Sequence, residues 1–121
     1  MKCGDVIAIA DRLRPNQYGS ADKIIWLSDC DCDIWFNVML RHEGCPEGGY
    51  EGYGNAEDEL LLPEEYGREI YLYYLLAQID FHNAETAKYN QSAARYNAAY
   101  KAWLDYYNKE HLPKTYGRIR F

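Results

Sequence analysis

The sequence has no run of about 18 apolar residues, the length that a membrane-spanning helix needs, so no contact with a membrane is expected. Its short apolar stretch from Val6 to Ala10 lies between Asp5 and Asp11, which makes a poor signal peptide. At 121 residues and 48% hydrophobic residues, the chain is the size of one domain with a single core. We therefore expect one cytoplasmic domain over residues 1–121.

Glycine and proline are absent between Arg68 and Leu112, where Ala, Leu, Glu, Lys and Gln are plentiful, and this composition predicts helix. One helix of that length would span about 65–70 Å, more than a domain this small can cover with its own core. Either the chain turns back between His82 and Ser92, or a neighbouring subunit covers a single long helix. We favour the turn, because Asn83 and Asn90 weaken the helix there. The apolar stripe comprises Leu72, Leu75, Ile79, Tyr89, Ala93, Tyr96, Tyr100, Trp103 and Tyr107, with the polar His82 and Thr86 at its middle.

Two shorter helices are predicted before this segment. Gly4 to Arg14 forms a short helix that Pro15 ends, with its buried face at helical spacing. Ser20 can cap a second helix that runs to about Arg41. The predicted buried positions are Val6, Ala10 and Leu13 in the first helix, and Ile24, Leu27, Cys30, Ile34 and Val38 in the second.

Residues 44–62 are predicted to form a flexible loop, because residues 44–59 carry five glycines and Pro46. A short hairpin around Tyr50 to Tyr53 is one option within it, and residues 60–62 form either a short strand or an anchor. Pro63 then supplies the start of the next helix. The predicted fold class is all-α: a small helical bundle with a short helix, a second helix, a Gly-rich loop and a long C-terminal helical hairpin or single long helix.

Lys and Arg are scarce in the first half of the chain. Residues 1–62 hold 5 Lys/Arg against 12 Asp/Glu, residues 63–121 hold 8 against 7, and the net charge is −6. Affinity for phosphate chains comes mainly from clustered cations that release counterions. Binding of a polyanion through a broad surface is therefore disfavoured, and no sequence-specific nucleic-acid partner is expected.

The four cysteines, Cys3, Cys30, Cys32 and Cys45, predict neither a disulfide framework nor a metal site. A chain without an export signal keeps its thiols reduced. Residues two apart on a helix point to different sides, so Cys30 and Cys32 cannot share a zinc ion with His42 and Cys45. Small apolar packing roles explain the cysteines better.

Three alternating acids, Asp29, Asp31 and Asp33, resemble the opening of a calcium loop. The sixth position is Ile34 where glycine is required, and the twelfth is Leu40 where a glutamate should chelate, so the motif fails. Asp29 and Asp33 are expected on the solvent face. Asp31 lies beside the apolar stripe, where it needs a hydrogen-bond partner.

No catalytic constellation is recognisable. His42, His82 and His111 lie far apart in the sequence, with no nucleophile in a recognisable turn beside them. We predict no catalytic residues, no cofactor and no metal, and we do not expect an enzyme.

Tyrosine occurs 13 times, and nine of these lie between Tyr66 and Tyr107. Tyr73, Tyr74 and Phe81 project from the side of the helix opposite the stripe, so one face cannot bury every ring. Aromatic residues on a second face are what protein interfaces favour.

Pro113 ends the helix, and residues 114–121 form a short basic and aromatic tail. This tail is either disordered or an arm that docks on a partner. The candidate interface residues are Tyr73, Tyr74, Phe81, Tyr116, Arg118, Ile119, Arg120 and Phe121.

Three segments carry a resemblance to a known family: DRLRPNQY, KIIWLSDCDCDIWFNVM and LLLPEEYGREIYLYYLLAQIDFHNAETAKYNQSAARYNAAYKAWLDYYNKEHLP. Over about residues 5–42 and 60–113 the chain resembles small helical proteins encoded beside the capsid gene in phages and prophages of Gram-positive bacteria. The order and spacing of the elements carry the match. Cys30 and Cys32 stand where Leu and Gly are expected, and Gly67 falls in a predicted helical turn.

The resemblance implies a head-to-tail connector, or adaptor, which forms a ring under the portal and joins it to the tail. The implied partners are the portal protein, tail or neck proteins and further copies of the chain in a homo-oligomeric ring. The implied location is the virion, and the host cytoplasm during assembly. The alternative function is a small acidic inhibitor or DNA mimic that acts on a host enzyme.

Overall fold

Four α-helices and one short 3-10 helix make up the secondary structure of residues 1–114, the part of the chain that the computed structural model describes. They are α1 (Cys3–Leu13), α2 (Ser20–Asn37), the 3-10 helix (Met39–Arg41), α3 (Glu64–His82) and α4 (Thr86–Glu110). The predicted all-α class is confirmed, with no strand in the described residues.

The ends of the two early helices follow the sequence with small corrections. The chain leaves α1 at Leu13 before Pro15, as predicted. Ser20 is the first helical residue of α2, and the cap position belongs to Gly19, which has no side chain with which to cap. The last predicted turn of the second helix is the separate 3-10 helix, because α2 ends at Asn37.

The C-terminal segment is a helical hairpin, which was the favoured alternative. Helix α3 ends at His82, and the turn places Ala84 at a φ of 57°, in the left-handed region. The Glu85 N–H closes the turn by donating to the Asp80 carbonyl at 2.9 Å. Ring contacts between Tyr66 and Tyr106 at one end, and between Phe81 and Tyr89 at the other, show that α4 returns antiparallel to α3.

Helix α3 is the centre of the core and packs against α1, α2 and α4. Its Ile70, Tyr71, Leu75 and Ile79 are fully buried, since three helices cover it. The predicted buried positions of α2 are all buried, whereas Leu13 of α1 is 56% exposed. That position was predicted wrongly: at the end of α1 the neighbouring Arg14 turns inward to a buried carboxylate.

The loop that connects the 3-10 helix to α3 contains no hairpin around Tyr50 to Tyr53, so that option was wrong. The loop instead pairs with the first turn of α1: the Cys3 N–H donates to the Asp58 carbonyl at 2.9 Å, and the Gly4 N–H donates to the Ala56 carbonyl at 2.8 Å. The loop thus supplies acceptors for the free N–H groups at the start of α1. The anchor interpretation of residues 60–62 is correct, because Leu60 and Leu62 are buried and form no strand.

Asp31 has the partners that its predicted position demanded. Its carboxylate is fully buried and accepts hydrogen bonds from the Tyr71 hydroxyl at 2.7 Å, from the Leu61 N–H at 3.1 Å and from the Tyr53 hydroxyl. Desolvation raises the pKa of Asp31, and the two tyrosine hydroxyls oppose that shift. The network joins α2, the loop and α3.

Gly67 is required by this network. A Cβ atom at Gly67 would lie 2.8 Å from the ring of Tyr71 and 3.1 Å from the Leu62 Cβ. The Tyr71 hydroxyl also accepts the Leu62 N–H at 2.9 Å, so the ring is held where the added atom would fall. Glycine in this helical turn is therefore explained by close packing.

Candidate protein-interaction site

Five aromatic side chains form a continuous surface cluster, here called the aromatic patch, at the turn between α3 and α4. His82 is its centre, with its ring stacked on Trp26 at 5.2 Å between centroids and 11° between planes. Tyr18 lies 5.7 Å from the His82 ring and Phe81 lies 5.4 Å from it. Tyr89 extends the patch onto α4, 6.0 Å from Phe81.

The patch combines exposed rings with half-buried ones. Phe81 is 62% exposed, and His82 is also exposed, whereas Tyr18, Trp26 and Tyr89 are half-buried. The Tyr18 hydroxyl donates to the Asn83 Oδ1 at 2.7 Å, which ties the α1–α2 linker to the turn. An exposed phenylalanine among fixed rings is the kind of anchor that protein interfaces use.

A hollow of about 420 Å³ adjoins the patch, lined by Asp80, Phe81, Ala84, Glu85, Thr86, Tyr89 and Asn90. Its surface is mainly apolar, and Phe81 and Tyr89 belong to both the hollow and the patch. A convex ring beside a concave apolar surface can both insert a side chain into a partner and receive one from it.

An ion pair between a partly exposed guanidinium and a fully buried carboxylate adjoins the patch. Asp80, which is fully buried on α3, accepts two hydrogen bonds from the Arg14 guanidinium and one from the Ser92 hydroxyl at 3.0 Å. The Arg14 Nη1 contacts both carboxylate oxygens, and these bonds, with the bond from Ser92, fix the end of α1 and the first turns of α4 to α3. These bonds link the end of α1, α3 and α4, and so they fix the relative positions of the helices next to the patch rings.

A buried cation lies at the start of α2. Lys23 is 2% exposed and its Nζ donates to the Asp11 carboxylate and to the Tyr18 carbonyl, both at 2.7 Å. The bond to Tyr18 fixes the linker that carries one ring of the patch.

The three predicted interface residues on α3 differ in their exposure to solvent. All three were predicted on the side of the helix opposite the stripe; Phe81 is exposed there, whereas Tyr73 and Tyr74 are half-buried. The hairpin is the reason: α4 returns along that side, where Tyr96 packs on Tyr74 at 5.5 Å and Arg95 covers the Tyr73 ring at 5.6 Å. Their role in an interface stays a prediction, and Phe81 is the most accessible of the three.

The other predicted interface residues lie outside the described residues 1–114: Tyr116, Arg118, Ile119, Arg120 and Phe121. The structure does describe the point from which the tail leaves. The Lys114 N–H donates to the Arg41 carbonyl at 2.9 Å, and the Glu43 N–H donates to the Leu112 carbonyl at 2.8 Å. The root of the tail is therefore paired with the chain that follows the 3-10 helix.

His42 and His111 both contact the Tyr107 ring near this point, at 5.2 Å and 4.2 Å between centroids. The two ring nitrogens of His42 lie 2.6 Å from the Val38 carbonyl oxygen and 2.5 Å from the Asn108 Oδ1. Both nitrogens of His42 are thus engaged in fixing α4 to the 3-10 helix. His82, the third histidine, lies at the opposite end of α4.

No group of three His, Cys, Asp or Glu side chains within residues 1–114 is arranged to hold a metal ion. The four cysteines are free thiols. Burial raises the pKa of Cys3 to about 11 and also raises the pKa of Cys30, so both thiols are in their protonated form at neutral pH. Asp29 and Asp33 are exposed on α2, as predicted.

Most of the site was not predicted from the sequence. The sequence predicts Phe81 as an interface residue, but it does not predict Tyr18, Trp26 or Tyr89, and it indicates His82 only as a polar break in the stripe. Asp80 carried a usable signal, because an acid within the apolar segment from Ile70 to Phe81 requires a cation. Its partner Arg14 lies 66 positions away, beyond the reach of local patterns.

Comparison of the chain with protein-family models, with curated proteins and with solved structures finds no match. Among the described residues, no helix has both the length and the apolar character of a membrane span. The surface of the protein is therefore the basis on which a function can be proposed.

Proposed function

We propose that the protein is a structural subunit of a tailed-phage neck, a head-to-tail connector that binds the portal or a tail protein through the aromatic patch. The observation that carries this proposal is the exposed Phe81 beside an apolar hollow, on rings that are fixed by stacking and by the Tyr18–Asn83 hydrogen bond. The resemblance of residues 5–42 and 60–113 to connector proteins supplies the class of partner.

The energetics favour a protein partner for this patch. Covering a phenylalanine side chain contributes about 1.5–3 kcal/mol, and a few such anchors dominate the binding energy of protein interfaces. The patch is also preorganised: Trp26 and His82 are already stacked and the turn is closed by backbone hydrogen bonds. A preorganised surface loses little conformational entropy on binding.

The assignment as a connector also implies a location, an oligomeric state and a non-catalytic role. The protein would act in the virion as a homo-oligomeric ring, be present in the host cytoplasm during assembly, and perform no catalysis. The acidic first half of the chain would discourage retention of the DNA that passes through the neck. The C-terminal arm, residues 114–121, would provide a second contact with a neck protein.

The test is complementation of a null mutant of the phage or prophage that encodes the chain. Phe81→Asp places a charge at the most exposed ring of the patch, and the change should leave the melting curve of the purified protein nearly unchanged because the side chain is exposed. We expect filled heads without tails and a loss of infectious particles of at least about tenfold, which is the effect of losing about 1.4 kcal/mol of binding.

Ala8→Asp is the control. Ala8 is exposed on α1 and is not part of the patch, so the same charge is added away from the patch rings. We expect this variant to yield intact virions. Wild-type numbers of intact virions from the Phe81 variant would refute the role of the patch.

A second measurement separates the proposal from the alternative function. A connector must be detectable in purified virions, at the neck, whereas a small acidic inhibitor of a host enzyme must be absent from them and must copurify with its target. Absence from the particle would refute the connector assignment itself.

A further inference from the structure

Helix α2 carries an apolar face that no part of the described chain covers. Ile25 is 57% exposed and Phe36 is 50% exposed, and their spacing of 11 residues places them on the same side of the helix. The half-buried Cys32 lies between them on that side. The buried residues of α2, such as Leu27 and Ile34, are on the opposite side.

This α2 face is also strongly acidic. Asp22, Asp29 and Asp33 are exposed on it, and none of the ion pairs within residues 1–114 includes them. The face contains no Lys or Arg, because Lys23 is turned inward to Asp11. A partner for this face must therefore combine a surface that accepts apolar side chains with positive charge.

The outward side of α4 has these properties. Ala94, Ala98 and Ala102 are exposed along it, and they line two shallow, open hollows of about 520 Å³ and 240 Å³. Arg95 lines both hollows, and Glu69 lines one of them. The exposed charged residues on this side are Lys88, Arg95, Lys101, Asp105 and Lys109. Lys88 is paired with Glu85 at 2.8 Å and Lys101 with Asp105 at 3.0 Å, which leaves Arg95 and Lys109 as the cations of this face outside the ion pairs of residues 1–114.

The two faces cannot meet within one molecule. Helices α2 and α4 do not pack directly as helices, because α3 lies between them. Where their side chains do approach, at Cys30 and Tyr96, each helix presents the side opposite to its outward face. Each molecule therefore presents an acidic, apolar face and a basic, small-residue face that point in different directions.

We infer that the α2 face of one copy of this chain binds the α4 face of the next copy, head to tail. A second copy is the fitting occupant because each surface supplies what the other needs: apolar side chains and carboxylates on α2, and hollows and cations on α4. A contact between two different surfaces of one chain is heterologous, and it generates a ring when the rotation closes. This inference deepens the proposed function, since it assigns the surfaces that would join neighbouring subunits of a connector ring.

The test is sedimentation of the purified full chain, with two variants that each disable one face. Ile25→Asp disables the α2 face and Ala98→Glu disables the α4 face by filling the hollows and adding negative charge opposite the acids. We expect the wild-type chain to self-associate at concentrations up to about 1 mM, and more weakly by about tenfold or more in 1 M salt, where exposed charges are screened. Each variant alone should remain a monomer.

The decisive sample is the equimolar mixture of the two variants. Each retains the face that the other has lost, so the mixture should form a 1:1 heterodimer and nothing larger. Ala8→Glu, an exposed alanine on α1, is the matched control and should associate like wild type. Melting curves establish that every variant is folded.

A wild-type chain that stays monomeric throughout this range would overturn the inference, as would variants that fail to complement in the mixture. The failure of the proposed function is distinguishable. Head-to-tail association in solution of a protein that is absent from virions would refute the connector and leave the contact standing, whereas a neck protein without this association would do the reverse.

Discussion

Replacing Tyr71 with phenylalanine removes one hydroxyl from the centre of the protein and nothing else. That hydroxyl donates to the Asp31 carboxylate at 2.7 Å and accepts the Leu62 N–H at 2.9 Å, and the residue is fully buried. A hydrogen bond to a charged group is worth about 1.5–3 kcal/mol, and a buried N–H left without an acceptor costs about 1–3 kcal/mol. Since Tyr53 and Leu61 still donate hydrogen bonds to Asp31, we expect the free energy of unfolding to fall by about 3–4 kcal/mol in total.

Urea unfolding followed by circular dichroism measures this loss, with Tyr106→Phe as the matched control. Tyr106 is 40% exposed, so its hydroxyl can be solvated and its loss should cost less than about 0.5 kcal/mol. The Tyr71 variant should also increase the pKa of Asp31 further, because that hydroxyl bond lowers it. Equal losses in the two variants would show that the buried network does not hold α2, the loop and α3 together.

Three further predictions concern the same core. Burial raises the pKa of Asp31 above its ordinary value of 3.8, so the folded state binds this proton more tightly than the unfolded state. The free energy of unfolding should therefore fall as pH rises from about 4 through the raised pKa, and Asp31→Asn should flatten that slope in urea titrations. Gly67→Ala should destabilise the protein by about 1–2 kcal/mol, because the cost of overpacking against Tyr71 exceeds the gain in helix propensity. A higher melting temperature for this variant would contradict the close contact with Tyr71. Iodoacetamide at pH 8 should modify Cys32 and Cys45 but not Cys3 and Cys30 in the folded chain, because the latter two are buried. Peptide mass spectrometry measures this, and rapid modification of Cys3 or Cys30 would show that the core opens.

The periodic parts of the fold were predictable, because a helix buries one side and its apolar residues recur at three and four. The turn of the hairpin was harder, since the apolar stripe continues through it in phase and no glycine marks it. Ala84 takes the left-handed conformation there, which strains a residue with a Cβ. The closing bond from Glu85 to the Asp80 carbonyl supports that conformation, and it depends on the three-dimensional packing of the hairpin.

The candidate site was less predictable than the fold for a related reason. Phe81 could be recognised as an aromatic residue off the stripe, but a patch needs neighbours from other elements. Trp26 meets His82 only because α2 packs against α3, and Arg14 meets Asp80 only because α1 does. The sequence indicates that a buried Asp31 or Asp80 needs hydrogen-bond donors. Which residues donate depends on how the helices pack in three dimensions.

The two buried carboxylates explain how a small, tyrosine-rich bundle can keep a precise surface. Apolar packing alone tolerates small shifts between helices, because its energy depends weakly on direction. Asp31 and Asp80 each require several donors in fixed geometry, so a shift of α2 or α4 along α3 would leave a buried charge without partners, at a cost of several kcal/mol. The bonds of Asp31 fix α2, which carries Trp26 and the acidic face, and those of Asp80 fix α4, which carries Tyr89 and the basic face. The spacing between the patch and both proposed contact faces is therefore set by the two residues whose burial would otherwise be unfavourable.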